Sequence, residues 1–177
     1  MEFQVGDKVI YPNHGIGVVE SIDTRSMSEG TVTGFGLRIL ANDSKVWIPR
    51  DSATGVGLRA VVKTTEVEQL IDHLADSNID QQANWKGRFK ENSDRMRTGS
   101  IFEVAEVLKG LTHLSLRKAL SFREKRMLDR AKFLMVSEMA EAEGASETVM
   151  EERVDRALTK AFGSEVLSAS STPVANA

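Results

Sequence analysis

The chain has 177 residues, of which 41% are hydrophobic and 28% charged, with a formal net charge of −3; this suits an ordinary globular protein of one domain or two small ones. It has no cysteine, which excludes disulfide frameworks, thiolate zinc sites and cysteine nucleophiles. It opens without the basic and apolar regions of a signal peptide and carries no apolar run near the roughly 20 residues of a membrane span, so a cytoplasmic protein is expected. The charge is unevenly spread. Asp80 to Lys132 holds 13 basic and 7 acidic residues, net +6, between flanks of net −4 and −5. A basic middle between acidic flanks is an electrostatic footprint that the overall pI of about 5.7 hides.

The first part of the chain reads as β structure. Lys8-Val9-Ile10-Tyr11-Pro12 is a β-prone run ended by proline, and Gly15 to Ile22 follows after a sharp reversal that glycine permits. Phe35 to Leu40 alternates at period two. Ala41-Asn42-Asp43-Ser44 supplies turn chemistry, Lys45 to Pro49 is the next strand, and Gly57 to Val62 closes the set. So many short strands within about 60 residues predict a small, strongly bent barrel of the SH3 or Tudor type, since a two-stranded piece is unstable alone. Pro49 argues for an edge strand.

After Lys63 the period becomes helical. Val67, Leu70, Ile71 and Leu74 fall on one face, with Thr65 or Thr64 as N-cap. Asn78 to Ala83 reads as a connector and Trp85 to Met96 as a second helix. Ser100 with Glu103, and Ser121 with Glu124, each predict a capping box opening a further helix. The helix from about Phe122 to Glu143 turns Met127, Leu128, Ala131, Leu134, Met135 and Met139 inward. Gly144-Ala145 breaks it. A last helix from Ser146 carries Val149, Val154, Leu158 and Phe162 at helical spacing. The expected fold class is α+β: an N-terminal small Tudor/SH3-like β-barrel over 1–63, then a C-terminal all-α helical bundle over 64–165. A disordered tail, rich in Ser and Ala, is expected over 166–177.

No motif points to catalysis. His14, His73 and His113 lie far apart, none with a metal ligand at i+4, and there is no HExxH, phosphate loop, dinucleotide fingerprint or GxSxG. The Glu151-Glu152 pair reads as a solvated face and His14 as a turn residue. Binding is the better class, and no cofactor is expected.

Asn84-Trp85-Lys86-Gly87-Arg88-Phe89-Lys90 opens the positive segment. On a helix Trp85 and Phe89 share a face; Lys86 and Lys90 share a neighbouring stripe that Arg97 extends, and Arg88 pairs with Arg95 at i+7. Such stripes set cations against phosphates along a groove. Spacing leaves two roles open for Trp85: a wedge that unstacks a minor-groove base step, or a core anchor beside Phe89. Composition gives no reason for Gly87, which costs about 1 kcal/mol of helix propensity. Strand alternation sets Lys45, Trp47 and Pro49 on an outer face opposite Val46 and Ile48, so an exposed Trp47 is expected, with burial in the small barrel core as the other reading.

Val5-Gly6-Asp7-Lys8-Val9-Ile10-Tyr11-Pro12-Asn13-His14-Gly15-Ile16-Gly17-Val18-Val19 resembles the opening of the CarD/CdnL family of bacterial transcription regulators, an opening shared with the polymerase-interacting domain of transcription-repair coupling factor. The resemblance continues through Leu37 to Leu40, Ile48-Pro49, Gly57-Leu58-Arg59, Asn84-Trp85, Thr98 to Leu108 and Leu120 to Leu128, covering roughly residues 3–162. It implies a Tudor-like module that binds the RNA polymerase β subunit through Arg25, Trp47 and Pro49. It also implies a helical domain that binds promoter DNA in the minor groove near the upstream edge of the −10 element, largely independent of sequence. The DNA-binding residues would be Trp85, Lys86, Arg88, Lys90 and Arg97, and the activity stabilisation of the open promoter complex by a monomer. Gly87 departs from relatives, which often carry a polar or basic residue there, and the position of Trp47 varies among them between basic and apolar residues. The competing reading is an adaptor on polymerase that does not bind DNA, working through the acidic helix from Ser146 to Phe162.

Overall fold

The computed structural model describes residues 2–28, 30–79 and 85–166. Its first part is a five-stranded antiparallel sheet of β1 (Lys8–Tyr11), β2 (Gly15–Met27), β3 (Gly30–Ile39), β4 (Lys45–Pro49) and β5 (Arg59–Ala60), in the order β4-β3-β2-β1-β5. The expected barrel is not closed. β5 has only two residues and pairs with β1, so β4 and β5 are both edges. Pro49 is on an edge strand, where its missing N–H costs no ladder bond. Below the sheet Phe3, Val9, Val19, Phe35, Leu37, Ile48, Ala53 and Leu58 form a small core, with Phe3 edge-on to Phe35 at 5.7 Å.

β2 and β3 run past their expected ends to a hairpin closing at Met27 opposite Gly30, after a register shift between Val19 and Ser21. From Asp23 to Met27 every residue is exposed. Neither face of this arm is buried, so it shows no hydrophobic alternation; its β structure comes from the ladder alone.

The helices are α1 (Thr64–Ala75), α2 (Trp85–Arg97), α3 (Ile101–Arg117), α4 (Phe122–Glu143) and α5 (Glu147–Phe162). α1 buries Val67, Leu70 and Leu74 as expected. Its N-cap is Lys63 rather than a threonine, and the Glu66 carboxylate accepts the Lys63 backbone N–H at 2.9 Å. The box expected at Ser100 does not form, because Glu103 turns instead to Arg95, 3.3 Å away. That at Ser121 does form: the Glu124 N–H donates to the hydroxyl at 3.3 Å and the Ser121 N–H to the Glu124 carboxylate at 2.9 Å. Ser121→Ala is therefore expected to lower stability by about 1 kcal/mol, visible as a lower denaturant midpoint at unchanged slope.

The second core packs Leu70, Leu74, Val107, Leu108, Leu111, Met135, Met139, Met150, Val154 and Leu158 among their neighbours. The inner stripe of α5 is Met150, Val154, Ala157 and Leu158. Val149 is one step off it and 51% exposed, against expectation. Val166, assigned to a disordered tail, is 2% exposed and belongs to this core, while 167–177 lie outside the described residues.

His113 on α3 sits against Phe162, ring centroids 5.3 Å apart. Burial, with Arg117 nearby, holds its imidazole below the usual value of 6.5. A folded state that disfavours the proton binds fewer protons than the unfolded chain. Stability should be full above pH 6.5 and fall as pH drops from there through the folded-state value. Melting temperature followed against pH should show this step in the wild type and lose it in His113→Asn.

Candidate nucleic-acid interface and partner face

Two surfaces carry several of the residues singled out by sequence; the side chains of Trp85 and Lys86 lie outside what the structure describes. The first is the outer side of α2 with the opening turn of α4. Phe89 is 40% exposed, so it is not the core partner that would have argued for a buried aromatic pair. Arg123 from α4 lies over its ring at 5.9 Å. Phe122 is 70% exposed, with Arg126 over it at 5.7 Å. Lys90 and Arg97 are exposed on α2. Lys90 makes a 2.8 Å pair with Asp94 one turn along, a solvent-exposed contact of the kind that contributes little and yields readily to a phosphate. Trp85 and Lys86 form the first turn of α2.

Arg88 departs from the expected stripe. Its guanidinium lies 3.3 Å from Glu124, and the side chain is only 21% exposed. For Glu124, burial pushes the carboxyl up, but Ser121 and Arg88 outweigh it and hold the group below its ordinary value. One carboxylate thus caps α4 and grips α2. Arg88 docks the two helices, leaving the outward charge to its neighbours. A Cβ at Gly87 would meet nothing within 4 Å, and nothing in the structure requires glycine there. Gly87→Ala should stabilise the chain by about 0.5–1 kcal/mol, measurable as a rise in melting temperature.

Phe122, Arg123 and Arg126 were missed as site residues. Their signal was a phenylalanine at the first helical position, outside the inward set, followed by Arg123, Lys125 and Arg126. Only the tertiary contact shows that these residues continue the α2 surface.

The second surface lies on the outer face of the sheet, where Arg25 stacks over Trp47 and Pro49 lies two residues further along the same strand. Trp47 is half-buried rather than freely exposed. It is on the outer face as expected, but its ring is sandwiched. Beneath it Gly34 has no side chain, and a Cβ there would come within 2.4 Å of the ring. Above it the Arg25 guanidinium sits 4.6 Å from the ring centroid, a cation–π stack. The indole N–H is buried with no hydrogen-bond partner among the described residues. Pro49 is opposite Gly34 in the register. Below this group Glu20 bridges Arg38 at 2.6 Å and Lys45 at 3.3 Å; the Arg38 hydrogen bond is the main cause that holds its carboxyl below the ordinary value.

His14, considered as a base, stacks on Tyr11 at 4.7 Å in a turn. Among the described residues no three His, Cys, Asp or Glu side chains cluster as metal ligands, and no helix is long and apolar enough to cross a membrane.

Residues 3–62 match the family model of the CarD-like/TRCF RID domain, and residues 69–155 match that of the CarD C-terminal domain. The chain is 32% identical over 145 residues to a Bacillus subtilis (strain 168) protein named "Putative transcription factor YdeB", covering 82% of this chain and 95% of that one.

Proposed function

The chain belongs to the CarD-like family and is a non-enzymatic transcription regulator, and from that premise we propose that it tethers itself to RNA polymerase and stabilises the open promoter complex. The β module, residues 1–63, binds the polymerase β subunit with Arg25, Trp47 and Pro49. The helical domain, residues 64–165, lays α2 against promoter DNA at the upstream edge of the −10 element. Trp85 enters the minor groove, and Lys86, Lys90 and Arg97 neutralise phosphates, with Arg123 and Arg126 widening the positive face. Arg88 contributes by holding α2 to α4. The protein acts as a cytoplasmic monomer.

The observation that carries this reading is Phe89, exposed beneath Arg123 on the helix that also exposes Lys90 and Arg97. An aromatic group interleaved with cations suits stacking and phosphate contact together. The rival surface is less available: on α5, Glu151 and Asp155 are both engaged by Lys132, at 2.9 and 2.8 Å.

Tethering raises the effective concentration of a weak DNA domain, so the effect should appear on polymerase-bound promoters before it appears on free DNA. The test is the lifetime of open complexes formed by purified bacterial polymerase, with and without the protein. The expected result is a longer lifetime, with a gain that shrinks as salt rises. Polymerase binding with no change in lifetime at any promoter would favour the adaptor reading.

A further inference from the structure

The β module joins the helical domain through residues 61–63 alone, between β5 and α1. A link that short fixes position but not direction. A buried polar junction also joins the two parts. The Glu138 side chain on α4 is 4% exposed. Arg59 of β5 meets it with both terminal nitrogens, one of them at 2.9 Å, and the Val62 N–H donates to the same carboxylate at 3.1 Å. The remaining edge of the guanidinium is also used: Nε donates to the Gly99 carbonyl, and Nη1 also to the Ala60 carbonyl at 3.0 Å.

Gly99 lies two residues beyond α2 in the loop to α3. Arg59 therefore grips the end of the proposed DNA helix itself, as well as α4. The grip is keyed sterically. Gly57 and Gly99 both take left-handed backbone, φ 77° and 84°. A Cβ on Gly57 would lie 2.9 Å from the Pro12 ring, and one on Gly99 would lie 2.9 Å from the Gly57 carbonyl. The junction borders a small, partly open pocket of about 20 Å³ lined in part by Met96, Ile101 and Leu134. A second, outer contact has Arg130 donating twice to the Asn13 carbonyl, at 2.6 and 3.1 Å.

We propose that Arg59 and Glu138 are positioning residues that lock the direction of α2 to the β module, so that the polymerase-bound module aims the DNA face. This rests on the function proposed above. Apolar packing tolerates sliding, whereas a bidentate guanidinium–carboxylate pair has one preferred geometry. Its burial makes any other arrangement costly, because a displaced partner leaves a charge uncompensated. The clamp matters for coupling and not for either contact alone, since neither side chain belongs to the two proposed binding surfaces.

The test replaces the pair with apolar residues of similar size, Arg59→Met with Glu138→Leu, so that no lone charge is buried. The native chain has no cysteine, so spin labels can be carried at Asp51→Cys on the β module and Glu152→Cys on α5. In the full chain, the expected result is a narrow interlabel distance distribution with the clamp intact and one at least about twofold broader without it. Affinity for a polymerase β-subunit fragment and for forked DNA should each stay within about twofold, while the gain in open-complex lifetime is lost. Arg59→Lys, which keeps the charge but not the fork, should fall between. An unchanged distance distribution in the folded double variant would overturn the clamp, as would an unchanged lifetime gain despite a broadened one. A wild-type chain that prolongs no open complex refutes the function on which the proposal rests, and the width of the distance distribution still decides whether the clamp exists.

Discussion

Trp85→Ala is expected to abolish the prolongation of open promoter complexes while leaving affinity for the polymerase β subunit within about twofold of wild type. Trp85 opens α2 of the helical domain, whereas Arg25, Trp47 and Pro49 belong to β2 and β4 of the sheet. An aromatic stacked on an exposed base contributes about 1–3 kcal/mol. Applied to the barrier for complex collapse, that is about 5- to 150-fold in lifetime. The size depends on a difference between states: a side chain that bound closed and open promoter equally would shift neither. A base step can be unstacked more cheaply where duplex meets melted DNA, so the contact is worth more in the open state. The neighbouring cations act otherwise. Lys90→Gln should weaken DNA binding for all sequences alike and reduce the salt slope by about one, keeping part of the lifetime gain. Competitor-challenged complexes at two salt concentrations separate the effects. A folded Trp85→Ala protein with wild-type lifetimes sinks the wedge, and the cations alone would then account for the activity.

How much of this could be read from the chain follows from where each interaction lies. The inner faces of α1 and α4 were legible because a helix that buries one side repeats its apolar residues at a fixed spacing. Glu124 closed its box with Ser121 as its local sequence indicated. Ser100 and Glu103 carry the same local signal and failed, because Arg95 from α2 captured the carboxylate. A local pattern predicts an interaction only when no distant partner competes for the group. The same holds for Arg88, whose carboxylate partner is 36 residues away. The outer hairpin arm was invisible for the opposite reason: a strand exposed on both faces has no amphipathic pattern to reveal it. The cationic stripe of α2 could be read along one helix, but its extension by Phe122, Arg123 and Arg126 depends on the approach of two helices. The junction was the least legible part. Nothing local in Gly57-Leu58-Arg59 or Thr98-Gly99-Ser100 reveals why glycine is needed: a Cβ on Gly57 would crowd the Pro12 ring, and one on Gly99 the Gly57 carbonyl.

Trp47→Ala should weaken polymerase binding by about thirtyfold or more, in line with the 2 kcal/mol or more typical of an interface tryptophan at a hot spot. The side chain is held before any partner arrives: Gly34 gives its ring a flat seat and Arg25 covers it. A contact fixed in advance loses little conformational freedom on binding. Its buried N–H has no acceptor among the described residues, and an acceptor from the partner would recover the cost of leaving it unpaired. The seat gives an independent check. At Gly34→Ala the new methyl would come 2.4 Å from the rigid indole and 2.7 Å from the Ile48 carbonyl, so neither neighbour can give way cheaply. That variant should lose polymerase affinity although the tryptophan is still present. Arg25→Ala should lose less through the stack itself, about 0.5–1 kcal/mol for an exposed cation–π contact. The helical core lies apart from this face, so forked-DNA affinity should be unchanged in all three. Affinities for a β-subunit fragment, measured on variants with wild-type melting of the helical domain, decide the matter. If Trp47→Ala and Gly34→Ala both bind as wild type does, the tether lies elsewhere on the sheet. Loss in Trp47→Ala alone would keep the tryptophan and discard the preorganised seat.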